Sequence, residues 1–266
     1  MSTRTSEPVA LTSAGCTTLE VAADPAGGRC VVRTSVRAPE GVAALRPMLL
    51  DSGPAHAAIA LVAEGAMLLG GDEIEVRCRV GTGVTLTVVE PSGTVAYDMR
   101  GRTARWDVFL DVADGGTLVW QGQPFVAAAG SDVVRRTQVA LGRHAGLLLR
   151  ETLVLGRVGE AAGTIRSTTR VAVDGRPVLV EDLELSARTQ VPGLLGRHRV
   201  LDSILVLGRG VPEVGKPLAL EGGGSLYRDL TDQAHSSTLN GLWPALTRPG
   251  WGRSSGPGRA SAPPRG

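Results

Sequence analysis

The stretch Glu73-Ile-Glu-Val-Arg-Cys-Arg-Val80 alternates charged and apolar residues without a break. Ile74, Val76, Cys78 and Val80 fall on one face, and Glu73, Glu75, Arg77 and Arg79 on the other. A period of two leaves room for little besides a strand with one face buried and one face wet. Gly70-Gly71 immediately before it allows backbone conformations closed to other residues, so a tight entry is expected. Counting back by twos from Ile74 reaches Asp72, which places a carboxylate on the apolar face. A buried carboxylate is costly unless it is paired, protonated or wet.

The same alternation recurs along the chain. Val84–Val89, Trp106–Val112, Val133–Leu141, Gly146–Leu155, Gly163–Val173 and Pro177–Leu185 all read as strands, and Ala57–Ala63 as a buried one. Thr17–Ala23 and Arg29–Arg37 form a first hairpin around Asp24-Pro-Ala-Gly-Gly28, and Asp174-Gly175 turns the last pair. Only 3% of residues are aromatic, so Val, Leu, Ala and Ile must build the core. The fold class is all-β, with one or two short helices. A weak repeat at roughly thirty residues links Val80-Gly-Thr-Gly-Val-Thr-Leu86, Val112-Ala-Asp-Gly-Gly-Thr-Leu118 and Leu141-Gly-Arg-His-Ala-Gly-Leu147. It fits helically coiled, stacked antiparallel sheets, and equally a plain meander with glycine turns.

Leu239, Leu242, Trp243 and Leu246 have helical spacing, and Pro244 keeps that helix short. The expected organisation is a flexible N-terminus over 1–16, a β domain over 17–248 and a disordered Pro/Gly/Ser/Arg tail over 249–266. A net charge of +2 is too mild to argue for nucleic acid. No apolar run has the length of a signal peptide or a membrane span, and Cys16, Cys30 and Cys78 are odd in number, so a cytoplasmic location is expected.

Catalytic chemistry is hard to place. His56, His144, His198 and His235 are isolated, without zinc-type spacing. Gly210-Val-Pro-Glu-Val-Gly-Lys216 matches the start of a P-loop, but Pro217 stands where a hydroxyl must hold magnesium. What stands out instead is carboxylates on apolar faces. Glu151 shares parity with Leu147, Leu149, Leu153 and Leu155, and Glu181 with Leu179, Leu183 and Leu185. With Asp72 they make three. Each either pairs with a buried arginine such as Arg157 or sits at a sheet edge, or the three line a polar passage offering hard oxygen ligands to a cation.

The run Gly65-x-x-x-x-Gly-Gly-Asp72, then Val95-Ala-Tyr97, Gln123-Pro-Phe125 with Ala129-Gly130, Gly156-Arg157-Val-Gly159-Glu160, Leu179-Val-Glu181 and Tyr227-Arg-Asp-Leu230 resembles the D-type (H-type) urease accessory protein family over about Thr17 to Arg248. The resemblance implies a non-enzymatic scaffold for urease maturation. It implies that the F-type accessory protein binds directly, that the G-type GTPase is recruited through it, and that apo-urease is the recipient. No tightly bound cofactor is implied, only transient nickel. Asp72, Glu181 and, by placement, Glu151 would line the nickel passage, whereas Gly70, Gly71, Gly156, Arg157, Gly159 and Glu160 belong to motifs of structural role. Relatives carry a His-Pro-Pro segment where Glu64–Leu69 stands here, and a helix where Gly208–Gly224 is glycine-rich. The alternative is a β-solenoid-like interaction module with no part in metal transfer.

Overall fold

The computed structural model describes residues 14–65, 67–208 and 216–247. Two sheets lie face to face. The first contains β1 (Gly15–Ala22), β2 (Val31–Arg37), β5 (Glu73–Val80), β8 (Ala104–Val112), β10 (Asp132–Leu141), β12 (Thr164–Val173) and β13 (Arg176–Leu185). The second contains β3 (Ala44–Ser52), β4 (His56–Glu64), β6 (Thr85–Val89), β7 (Thr94–Ala96), β9 (Thr117–Ala127), β11 (Gly146–Leu155), β14 (Val200–Leu207), β15 (Leu218–Ala219) and β16 (Ser225–Thr231). Through its middle, from β7 to β12, the chain passes from one sheet to the other at every connection. The all-β, coiled expectation holds, but strand direction differs from it. In the middle of both sheets the neighbours run parallel: β5/β8, β8/β10 and β10/β12 in one, β4/β6, β6/β9 and β9/β11 in the other. Antiparallel pairs close the ends, at β1/β2, β3/β4, β12/β13, β11/β14 and β14/β16. Alternation sets which face is buried and carries no information on direction.

The thirty-residue repeat is one coil of this solenoid. Val80 pairs with Val112 and Val112 with Leu141, while Leu86 pairs with Leu118 and Leu118 with Leu147. The three repeat segments are therefore stacked corners. Each needs one residue in the left-handed region, filled by Gly83 (φ 68°), Gly115 (φ 65°) and, in the third coil, His144 (φ 57°). That corner role accounts for one isolated histidine.

Inside, Leu19, Ile59, Ile74, Leu86, Leu118, Leu147 and Ile165 are among the fully buried side chains. At mid-length Trp106 meets Phe125 edge to face, ring centres 5.6 Å apart. The helix α1 (Leu239–Leu246) lies on the outer face of the second sheet. Its Leu239, Leu242, Trp243 and Leu246 cover Val119, Leu148, Ile204, Val206 and Tyr227. Under the same segment Asp202, with no exposed surface, takes Nε and Nη2 of Arg150 at 3.3 and 2.7 Å and the hydroxyls of Thr152 and Ser237. Gly208 to Gly224 shows no helix among its described residues, only the two-residue β15. The P-loop-like segment lies mostly outside the described residues, as do 1–13 and the tail.

Candidate functional site

Polar residues interrupt the apolar filling between the sheets in one zone. Arg135 and Thr137 point inward from β10, Ser167 and Thr169 from β12, Glu151 from β11, Glu181 from β13, Ser203 from β14 and Arg228 from β16, and all line one or other of two small cavities. One cavity is bounded by Glu90, Trp106, Trp120, Gln123, Phe125, Arg135 and Glu151; the other by Glu151, Thr169, Glu181, Ser203 and Arg228. Glu151 belongs to both. Each has a volume of about 30 Å³, room for a water or two.

The backbone builds this zone deliberately at one point. Between Arg150 and Thr152 the ladder of β11 with β9 shifts, so Gly122 and Gln123 stand opposite Glu151. Gly122 is required because a Cβ there would lie 2.5 Å from the Arg150 carbonyl oxygen. The bulge frees the Gln123 N–H, which donates to Glu90 at 3.0 Å, beside the Trp120 Nε1–H at 2.9 Å.

Both interior glutamates identified from strand parity are ion-paired. Arg135 Nη2 donates to Glu151 Oε1 at 2.8 Å, with the two side chains 8% and 25% exposed. Arg228 donates to Glu181, whose side chain is 19% exposed. Neither acid is dry. Arg135 also lies over the rings of Phe125 (4.5 Å) and Trp106 (6.0 Å), and its Nε–H is buried without an acceptor. Glu90 is not among the carboxylates counted on apolar faces, although it shares parity with Leu86 and Val88, four and two residues before it. The residue keeps some surface, but its carboxyl end is enclosed. Burial raises its pKa above the ordinary 4.5, opposed by the bonds from Gln123 and Trp120 and by the charge of Arg135, and reinforced by that of Glu151.

That direction has a consequence for stability. A pKa raised on folding gives a contribution that is whole below the unfolded value near 4.5 and is lost as pH climbs through the folded one. Glu90→Gln removes this titration. Urea midpoints measured between about pH 4 and pH 7 are expected to show the wild type losing ground to the variant as pH rises. A gap independent of pH would contradict the burial of this carboxyl.

Asp72 is placed differently from the parity count. It precedes β5, in the corner turn, and its Oδ2 accepts the Leu69 N–H at 2.7 Å. Its N–H closes the same turn on Leu69 O at 3.0 Å, and its C=O accepts the Arg105 N–H of β8 at 2.8 Å. Asp72 lines neither cavity. Parity applies only where the backbone is already extended, and here the strand has not begun. Gly71 (φ 93°) and Gly70 let this corner press on the next one, since a Cβ on Gly70 would lie 2.6 Å from Met99 O. Asp72→Ala is accordingly expected to cost about 1 kcal/mol in urea denaturation. A midpoint unchanged from wild type would contradict this role in the turn.

Gly156, Arg157, Gly159 and Glu160 form another corner, between β11 and β12. Gly156 and Gly159 have φ of 74° and 80°, and Arg157 pairs with Glu160 at 2.6 Å. Arg199 ties the corner down by donating to the carbonyls of Leu155, Arg157 and Glu160. These corners stack: Leu68 N–H bonds Val95 O, Met99 N–H bonds Gly130 O, Ala128 N–H bonds Ala96 O and Gly156 N–H bonds Ala127 O. Motif residues scattered over about a hundred positions thus share one edge of the solenoid.

Among the described residues no three His, Cys, Asp or Glu side chains converge on a metal-sized site. Cys78 is buried in the core, which pushes its thiol up to about 12 and removes it as a thiolate ligand.

A model of the UreD urease accessory protein family matches residues 13–244. The chain belongs to the UreD family. Urease accessory protein UreD 1 of Streptomyces griseus is 45% identical over 180 residues, covering 66% of this chain and 71% of that protein. UreD of Frankia casuarinae is 40% identical over 199 residues, 69% of this chain and 60% of that protein. UreD of Streptomyces avermitilis is 34% identical over 199 residues, 68% and 78% of the two chains. As a UreD protein, this chain is an accessory factor with a role in urease maturation, and not a catalyst.

Proposed function

We propose that this UreD chain carries nickel into apo-urease through the polar zone between its sheets. It receives the ion from the F-type accessory protein, bound directly, and from the G-type GTPase held through that partner, in the cytoplasm. No helix among the described residues is long and apolar enough to cross a membrane, and the three cysteines are free. Nickel is cargo here and needs no resident site. The observation that carries the reading is the position of Glu151, shared by the two cavities, with Glu181 in the second. Carboxylates in series lower the cost of a divalent ion in an enclosed space, because each replaces lost water with a charged oxygen. Single oxygen ligands hold a borderline cation weakly enough to release it.

The test uses full-length UreD with its partner proteins and apo-urease. Glu151→Gln and Glu181→Gln keep side-chain volume and remove the charge. Both variants are expected to co-purify with the accessory proteins, yet to deliver clearly fewer nickel atoms per urease by mass spectrometry. Wild-type nickel loading by both would end the passage reading.

A further inference from the structure

Both acids of the passage are already engaged: a cation reaching Glu151 finds Arg135 on it, and one reaching Glu181 finds Arg228. The cavities between are only about 30 Å³ each. Resting on the passage reading above, we propose that Arg135 is a movable plug and that Glu90 is the second carboxylate onto which it shifts when Glu151 takes the ion.

Charge supports this assignment first. The second cavity holds one guanidinium against one unshared carboxylate, Arg228 against Glu181, and is balanced. The first holds Arg135 against two carboxylates, Glu151 and Glu90. Of the three interior glutamates, Glu90 alone has no guanidinium partner; its oxygens take only the indole N–H of Trp120 and the backbone N–H of Gln123. This cavity therefore offers Arg135 a second carboxyl group to move to when a cation takes Glu151.

The seat of Arg135 is also suited to movement. Its Nε–H is buried and unpartnered, so the pairing with Glu151 leaves the guanidinium incompletely satisfied. Its other contacts are the faces of Phe125 and Trp106, at 4.5 and 6.0 Å. Attraction to a ring face has no fixed donor direction, so the group can slide across it and keep much of that attraction. Glu90 borders the same cavity and already feels the charge of Arg135. The exchange breaks one ion pair as it forms another, and the passing ion is never left beside an unpaired guanidinium.

Nickel transfer to apo-urease by the complete accessory complex, followed in time by mass spectrometry, tests the plug. Glu90→Gln removes the second seat and leaves Glu151 in place. It is expected to slow loading about tenfold, because the open state becomes a minor population, with co-purification unchanged. Adding Arg135→Met removes the plug itself and should restore loading to within about threefold of wild type. A wild-type rate in Glu90→Gln would overturn the proposal, and so would a double variant that folds but stays as slow as the single one. Should the double variant fail to fold, the single variant still decides. Glu151→Gln and Glu181→Gln run beside them separate the two readings: slow loading by these with normal Glu90→Gln sinks the plug alone, whereas normal loading by all three sinks the passage as well.

Discussion

Asp202→Ala is expected to destabilise the protein by about 3–5 kcal/mol, because it strands the Arg150 guanidinium beneath the C-terminal segment. Arg150 is 8% exposed and would keep only Asn240 Oδ1, at 2.6 Å, of its present side-chain partners. Thr152 and Ser237 would lose their shared acceptor as well. Domains have about 5–15 kcal/mol to lose, so most of the margin is at stake. Chemical denaturation checks this. A midpoint within experimental error of wild type would mean that water reaches Arg150 and replaces the carboxylate.

Trp243→Ala is expected to cost about 3–5 kcal/mol as well, by a different route. The indole is 6% exposed and is the largest group that α1 lays on the second sheet. Without it, Val119, Leu148, Ile204 and Val206 lose their cover and become an apolar patch on a β surface. The variant should therefore aggregate on warming at a temperature where wild type remains dispersed, as light scattering would show. If it unfolds late and stays monodisperse, α1 is an ornament and not a lid.

Strands with one wet face were readable. Glu73–Val80 has the expected bounds and Val133–Leu141 misses only Asp132, because alternation is a direct record of burial. Three kinds of strand were not. β9 is broken in sequence by Gly122, which its bulge requires, and by Pro124 just after it. β3 sits at an edge with Leu49 and Leu50 more than half exposed, so its pattern does not alternate. β14 is covered on both faces, by the core and by α1, so that it does not alternate and only its second half, Ile204–Leu207, reads as strand-like.

The site was legible to the same extent and for the same reason. Parity located Glu151 and Glu181 between the sheets and misplaced Asp72, which stands one residue ahead of its strand. It would also have found Glu90 and Arg135, in step with Val88 and Val133 respectively. Their partners were another matter. Glu181 meets Arg228 from 47 positions away, and Arg150 meets Asp202 from 52, distances at which no local pattern operates.

The central claim, that nickel travels between the sheets, is tested most directly by filling the space without touching a charge. Thr169 and Ser203 line the second cavity from opposite sheets, and its volume of about 30 Å³ is smaller than the bulk a leucine at either position adds. Thr169→Leu and Ser203→Leu should be made separately, confirmed folded by circular dichroism and shown to co-purify with the accessory partners. The measurement is nickel atoms bound per urease active site after reconstitution with each variant. A passage through the interior requires both to leave urease largely empty of nickel; full loading with the cavity filled would show that the metal takes another way.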